Sequence, residues 1–331
     1  MIMTKTEYRH SPWDLAQMQS LPLAQKIAMT QYRIREWFNA FDGNVYVAFS
    51  GGKDSTVLRH IVNHTPGVYD VPCVFVNTGL EYPEIQKFVS SFGDVTILHP
   101  EMSFVEVITK YGYPIISKAV ASAVEDARRN VPRGKETVGV KKLRGTYTGS
   151  GRRDGGKNKF DYSKWKFLYD APFKISAKCC DVMKKKPFAA YERKTGRRPF
   201  IGTLAAESTQ RACTWRKSGC NAFDAVHPSS KPLSFWTEQD ILQYLVDFDV
   251  PYAPVYGSIE KDDNGKYYTT GLDRTGCMFC GFGAHLEKKP NRFQRMQKTH
   301  PKQYQFCMNT LGMKNVLDYI GLSYENKCEE V

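Results

Sequence analysis

Residues 45–62, VYVAFSGGKDSTVLRHIV, leave the chain few ways to fold. Val45, Val47 and Phe49 alternate among β-prone neighbours and predict a buried strand. Thr56 to Val62 carries Val57, Leu58, Ile61 and Val62 at helical spacing, which predicts the first turns of an amphipathic helix. Between the two runs stand Ser50, Gly51, Gly52, Lys53, Asp54 and Ser55. Such a strand–turn–helix unit directs backbone N–H groups and a helix N-terminus at one point, an arrangement that binds phosphate. The glycines let the backbone come close, and Lys53 adds a point charge. Asp54 would repel a bare phosphate, but it fits if Mg2+ rides on the phosphates. A surface βα-turn with no ligand is the plain alternative, and the joint arrival of two glycines, a lysine and two hydroxyls argues against it. A kinase-type P-loop needs a glycine five residues before its Gly-Lys pair. Position 47 is Val, so that loop is excluded.

Strands and helices alternate around this unit. Residues 12–41 predict helix, entered through Ser11 and Pro12. Val71–Val76 and Val95–Leu98 predict strands, with a helix over Tyr82–Phe92 between them. Pro199–Leu204 predicts a further strand, and Thr237 with Asp240 forms a capping pair for a helix to about Phe248. This order argues for an α/β fold with a doubly wound parallel sheet. Ligands of such sheets sit at the carboxyl ends of the strands. Both the Ser50–Ser55 turn and Asn77-Thr78-Gly79 fall there, as one nucleotide pocket requires. The boundaries expected are an N-terminal helical segment 1–43, a nucleotide-binding domain 44–255 and a C-terminal cysteine-bearing helical region 256–331.

The chain of 331 residues is 41% hydrophobic, enough for a substantial core. It has no apolar run of about 18 residues, so no membrane partner is expected. Its first residues lack the apolar core of a signal peptide, which points to the cytoplasm. The net charge of +13 is concentrated: residues 128–166 hold thirteen Lys or Arg and three acids, a net of +10. The Gly-rich stretch inside them, residues 144–159, predicts a mobile basic loop or lid. It suits contact with nucleic acid or polyphosphate, and a solvated insertion is the equal alternative.

Four blocks follow one another in the chain: SGGKDS, VFVNTGLEYPE, IGTLAAESTQR, and KPLSFWTEQDILQYL with RTGCMFC after it. Together they resemble the phosphoadenosine phosphosulfate reductase family of the PP-loop ATP pyrophosphatase superfamily, over roughly residues 30–300. The resemblance implies that Ser50, Gly51, Gly52, Lys53, Asp54 and Ser55 cradle phosphates and that Asn77, Thr78 and Gly79 line the adenosine pocket. It also implies that Gly202, Glu207 and Arg211 complete the nucleotide or substrate side, with Lys53, Asp54, Glu207 and Arg211 as the catalytic set. For Glu207 and Arg211 a structural ion pair is the alternative. The chain also resembles phage- and prophage-encoded members of the family.

Two departures bear on the reaction. Family members that reduce phosphoadenosine phosphosulfate carry a degraded loop, whereas SGGKDS is intact here. Their C-terminal Glu-Cys-Gly-type segment is replaced by SYENKCEEV, which contains Cys328. Both departures favour an ATP-dependent sulfurtransferase, similar to the sulfur-inserting component of DNA phosphorothioation systems or to a tRNA thiolation enzyme. Such an enzyme would use ATP and Mg2+ to adenylate an acceptor and would draw on a sulfur-donor protein. The alternatives are a phosphoadenosine phosphosulfate or adenylylsulfate reductase, with Cys328 or Cys220 as nucleophile, and a non-catalytic nucleotide-binding regulator. The oligomeric state is left open.

Nine cysteines in a cytosolic chain suit metal ligands or reactive thiols better than disulfides. Cys179-Cys180 and the CxxC of Cys277 and Cys280 are separated by 96 residues. Thiolates are soft ligands for iron–sulfur or zinc. Nearby Lys178, Lys184, Lys185, Lys186 and Arg274 would favour them electrostatically. The resemblance implies that Cys179, Cys180, Cys277 and Cys280 hold a 4Fe-4S cluster, with Cys220 as the rival of Cys179 and a Zn2+ site as the alternative. Cys73 and Cys307 are assigned to the core, Cys213 is an uncertain extra, and His285 is assigned a structural place.

Overall fold

The structure is a computed structural model that describes residues 8–149 and 158–326. Its strands, in chain order, are β1 Val45–Ala48, β2 Cys73–Val76, β3 Val95–Leu98, β4 Ile115–Ile116, β5 Arg198–Ile201, β6 Asn221–Ala222, β7 Ser229–Ser230, β8 Ile259–Lys261, β9 Tyr267–Thr269 and β10 Gly281–Phe282. The chain divides into two compact units. The first holds residues up to 77, 81–99 and 187–275; the second holds 78–80, 100–186 and 276 onward. These boundaries differ from the three-part division expected from the sequence. The N-terminal helices belong to the same unit as residues 50–55, and of the region 256–331 only 276 onward groups with 100–186.

The first unit is built on a six-stranded sheet of order β3-β2-β1-β5-β7-β6. Its pairings are parallel except for the terminal β6–β7 pair. β1 lies centrally, with Val47 opposite both Cys73 and Phe200. Val45, Tyr46 and Val47 are all buried, as expected of a parallel strand covered on both faces. β3 forms the sheet edge, and its Thr96 and Ile97 are exposed accordingly.

Helix Leu23–Ala40 buries Ile34 and Trp37 in the core of this unit. It also places Thr30 where its hydroxyl accepts the Trp236 indole N–H at 2.9 Å. The helix expected over 12–41 is two helices, Pro12–Gln19 and Leu23–Ala40. Pro22 causes the break, because the residue before a proline avoids the helical region. Ser11 caps the first helix with a capping box to Asp14. Thr237 caps Glu238–Asp247 in the same way through Asp240.

The second unit is largely helical. Helix Lys118–Asn130 buries Val120, Ala121, Val124 and Ala127, and the following helix Val138–Arg144 buries Val140 and Leu143. A 3-10 helix covers Ser163–Asp170. Within the basic insertion 128–166, residues 128–133, 138–144 and 163–166 are helical, while 145–149 and 158–159 of the Gly-rich stretch are not. The amphipathic faces of the helices pack, and Ser117 and Thr137 supply the N-caps. Within the Gly-rich stretch, residues 150–157 lie outside the described residues.

In this unit, residues 113–116 act as a bracket. Tyr113 exchanges backbone hydrogen bonds with Lys174 (2.9 Å) and Ser176 (3.2 Å). Ile115 and Ile116 pair in parallel with Gly281 and Phe282 of β10. Ile116 does so at a φ of +63°, a conformation that costs a β-branched residue on the order of 1–3 kcal/mol. The pairing holds it there. No described helix is long and apolar enough to cross a membrane.

Candidate functional site

The turn after β1 is tied to itself. Ser55 Oγ accepts from the Ser50 backbone N–H at 3.1 Å, lies 2.9 Å from Ser50 Oγ and donates to the Gly52 carbonyl at 2.9 Å. These bonds bring both hydroxyls to the mouth of the helix Lys53–Asn63, whose N-cap is Gly52. Gly51 has φ +71°, and a Cβ there would stand 2.7 Å from Val89 Cγ2. Glycine is needed on both counts. At the end of β5, a Cβ on Gly202 would stand 3.0 Å from Ser55 Cα. Its bareness lets β5 approach the first turn of the helix.

The Lys53 ammonium is nearly buried and donates to Glu238 Oε1 and to the Asp273 carbonyl, both at 2.5 Å. The Lys53 backbone N–H donates to the Tyr256 hydroxyl at 3.3 Å, and that hydroxyl lies 2.7 Å from Thr275 Oγ1. Asp54 differs from its neighbours: its Oδ1 is buried and has no hydrogen-bond partner. Burial raises this carboxyl to about 6, against the opposing pull of Lys53 and Arg274. An acid held up by desolvation, with an unsatisfied oxygen beside a lysine, fits a site made for a cation.

Glu207 pairs with both Arg211 and Arg274 and accepts the Leu204 backbone N–H at 3.2 Å. The ion pair named as the alternative for Glu207 and Arg211 is thus present, and Arg274 links it to Asp54 through its charge. Both arginines are substantially exposed and can turn toward an anion. Asn77 continues β2 by donating its backbone N–H to Leu98 at 2.9 Å. Thr78 and Gly79 belong to the second unit, where Thr78 Oγ1 accepts from the Leu80 N–H at 3.2 Å.

The sequence did not single out Glu238, Tyr256, Asp273, Arg274 as a partner of Glu207, or Thr275. Glu238 had a detectable signal, since it stands just inside the Thr237 cap within one of the quoted blocks. The others depend on how residues 254–275 return to the turn, which no local pattern encodes.

In the second unit, the bracket explains how distant cysteines meet. One side of residues 113–116 holds the strand leading to Cys179-Cys180, and the other holds β10, which directly follows Cys280. The CxxC closes as a tight turn, with the Cys280 N–H donating to the Cys277 carbonyl at 3.1 Å. Burial, followed by the charges of Cys277, Cys180 and Cys280, raises the Cys179 thiol well above the usual range. Cys280 is raised by burial and by Cys180, against the pull of Arg292. The Cys179 thiol therefore feels the charges of the other three. Even so, among the described residues no three His, Cys, Asp or Glu side chains are gathered closely enough for a single metal ion.

Cys220 is packed in the core of the first unit. Burial pushes its thiol up to about 11, against hydrogen bonds with Trp215 and Ser234. Cys73 and Cys307 are buried, and Cys213 lies half-buried on helix Thr209–Ser218. His285 packs edge-on against Trp165, ring centroids 5.1 Å apart. Cys328 lies outside the described residues.

A largely parallel α/β sheet with a glycine-bearing turn and a helix N-terminus after its central strand is the architecture of doubly wound α/β proteins that take a ligand at the strand ends. The chain matches the phosphoadenosine phosphosulfate reductase domain over residues 44–117 and 140–281 and belongs to that family. No curated protein matches it significantly. Among solved structures, it is similar to a phosphoadenylyl-sulfate reductase from Candida auris in its phosphate complex. That match has 14% identity and a TM-score of 0.38, and covers 77% of this chain and 97% of that one. It is also similar to the U34-tRNA thiolase NcsA from Methanococcus maripaludis with its 4Fe-4S cluster. Here identity is 15% and the TM-score 0.34, with 93% of this chain and 86% of that one covered.

Proposed function

We propose that this family member is an ATP-dependent sulfurtransferase. The observation that carries the reading is Asp54, a buried carboxylate with an unpartnered oxygen in an intact SGGKDS turn. A turn that holds only a sulfonucleotide has no use for such a group, whereas a nucleoside triphosphate with Mg2+ does. An acceptor oxygen attacks the α-phosphorus of ATP, and the bond to the β-phosphate breaks to release pyrophosphate. A sulfur nucleophile then displaces AMP from the activated acceptor. Lys53 and the turn amides stabilise charge on the departing pyrophosphate. Arg211 and Arg274, held by Glu207, orient the α-phosphate side. Bound Mg2+ would neutralise phosphate charge at Asp54.

Cys179, Cys180, Cys277 and Cys280 are the residues we assign to a 4Fe-4S cluster. Their soft donor set and the raised thiols of Cys179 and Cys280, which a cationic centre would relieve, support that assignment. The cluster would supply a sulfur-binding or redox centre at the acceptor side. The test is pyrophosphate release from ATP in the presence of cellular RNA or DNA and a sulfide source. Wild type releases it and Lys53→Ala does not. Family membership favours a second reading, reduction of phosphoadenosine phosphosulfate. Thioredoxin-dependent sulfite release without ATP turnover would establish that reading and remove the first.

A further inference from the structure

The second unit contains a cavity of about 570 Å³ that none of the nucleotide-site residues lines. That volume suits a small molecule or a side group of a larger one. Its floor is apolar, made of Ala127 and Val131 from the end of one helix and Val140 and Leu143 from the next. Phe167 and Tyr169 face the cavity, and Arg144, Lys166 and Asp170 complete the lining as exposed charged groups. Arg128 makes the wall rigid: its guanidinium donates to the carbonyls of Leu168, Tyr169, Ala171 and Phe173 at 2.7–2.9 Å. The family match skips residues 118–139, which supply Ala127, Val131 and Arg128. The cavity thus joins two residues outside the family match to seven within it.

Its surroundings select the ligand. Arg129, Arg133, Lys135, Lys159 and Lys164 are exposed in the same insertion. Cations alternate with rings: Lys164 lies 5.0 Å from the Trp165 ring centroid, and Lys142 lies 4.5 Å from that of Phe160. Phe167, 38% exposed, offers a stacking face at the cavity itself. Aromatic faces amid a cationic track are how single-stranded nucleic acids are held.

We propose that this cavity receives an unstacked base of a single-stranded nucleic acid, with the flanking phosphates on Arg144 and Lys166. The apolar floor and Phe167 take the flat faces of the base, and Asp170 accepts from an exocyclic amine. A duplex keeps its bases inside the stack and would engage the cations alone. The site goes beyond the sulfur-transfer reading and does not depend on it, because binding needs neither ATP nor cysteine chemistry.

The test is fluorescence anisotropy of the full-length protein, without ATP, against labelled single-stranded RNA, single-stranded DNA, duplex DNA and a labelled mononucleotide. The proposal expects tighter binding of one or both single strands than of duplex or mononucleotide. Phe167→Ala should weaken single-strand binding roughly fivefold or more, the lower range for one stacked base, with little change in the salt slope. Arg144→Glu with Lys166→Glu should weaken it more than tenfold and flatten that slope. Lys302→Glu, an exposed cation elsewhere in this unit, should change binding less than twofold. Thermal melting that matches wild type keeps the variants interpretable. Equal affinity for duplex and single strand, unaltered binding by Phe167→Ala, or binding of the mononucleotide alone would each overturn the proposal.

Discussion

The Lys53 ammonium and Glu238 Oε1 lie 2.5 Å apart across 185 residues of sequence. Lys53 is the lysine of the phosphate turn, so any phosphate reaching it must displace or share it with Glu238. Glu238 is about half exposed, and such pairs contribute roughly 0.5–1 kcal/mol. Glu238→Gln should therefore tighten ATP or pyrophosphate binding about two- to fivefold, as read by calorimetry. Weaker binding would show that Glu238 helps hold the nucleotide instead of competing with it.

Asp54 gives a pH dependence with a defined sign. Its carboxyl titrates near 6 in the fold, above the ordinary 3.8, because burial disfavours the charged form. A raised folded value means that ionisation weighs against the folded state. The penalty is absent below about pH 4, grows between 4 and 6, and is complete above 6, where it reaches up to about 3 kcal/mol. Asp54→Asn should then melt higher than wild type at pH 7.5, with the difference closing toward pH 4. Mg2+ with nucleotide should raise the melting temperature of wild type and not of the variant.

The two glycines of the site should tolerate nothing larger. Gly51→Ala meets a positive φ and two branched side chains, and Gly202→Ala meets the backbone of Asp54 and Ser55. Each should cost about 1–3 kcal/mol and abolish nucleotide binding. Denaturant unfolding and binding measured on the same samples would check both effects. Wild-type behaviour of Gly202→Ala would mean that β5 does not press on the turn.

The cysteine assignment separates four residues from the rest. After anaerobic reconstitution, iron and sulfide analysis should find about four irons per chain in wild type. Alanine at Cys179, Cys180, Cys277 or Cys280 should lower that figure sharply. Cys220→Ala and Cys213→Ala should leave it intact. Loss of iron in Cys220→Ala alone would transfer the ligand role to that residue.

Much of the fold was legible because its signals are local. The β1–turn–helix unit, the β2 and β3 strands and the Ser11 and Thr237 caps each lie within a few consecutive residues, where periodicity and side-chain hydrogen bonding decide the outcome. The break at Pro22 was equally local and was passed over in favour of the longer helical pattern. The insertion was legible only in part: its Gly-rich stretch is non-helical at the described residues 145–149 and 158–159, whereas Val140 and Leu143 just before it bury a helical face that charge does not announce.

The sequence by itself determined that Ser50–Ser55 would form the turn between β1 and the helix that follows, because the strand, the glycines and the helix start reside in consecutive residues. Only the tertiary structure decided that Lys53 is held by Glu238, that Arg274 joins Arg211 on Glu207, and that residues 113–116 pair with both the segment before Cys179 and the strand after Cys280. The reason is physical: Lys53 and Glu238 are 185 residues apart, and Glu207 and Arg274 are 67 apart. Such contacts are set by sheet pairing and core packing over the whole chain, not by any run of neighbouring residues.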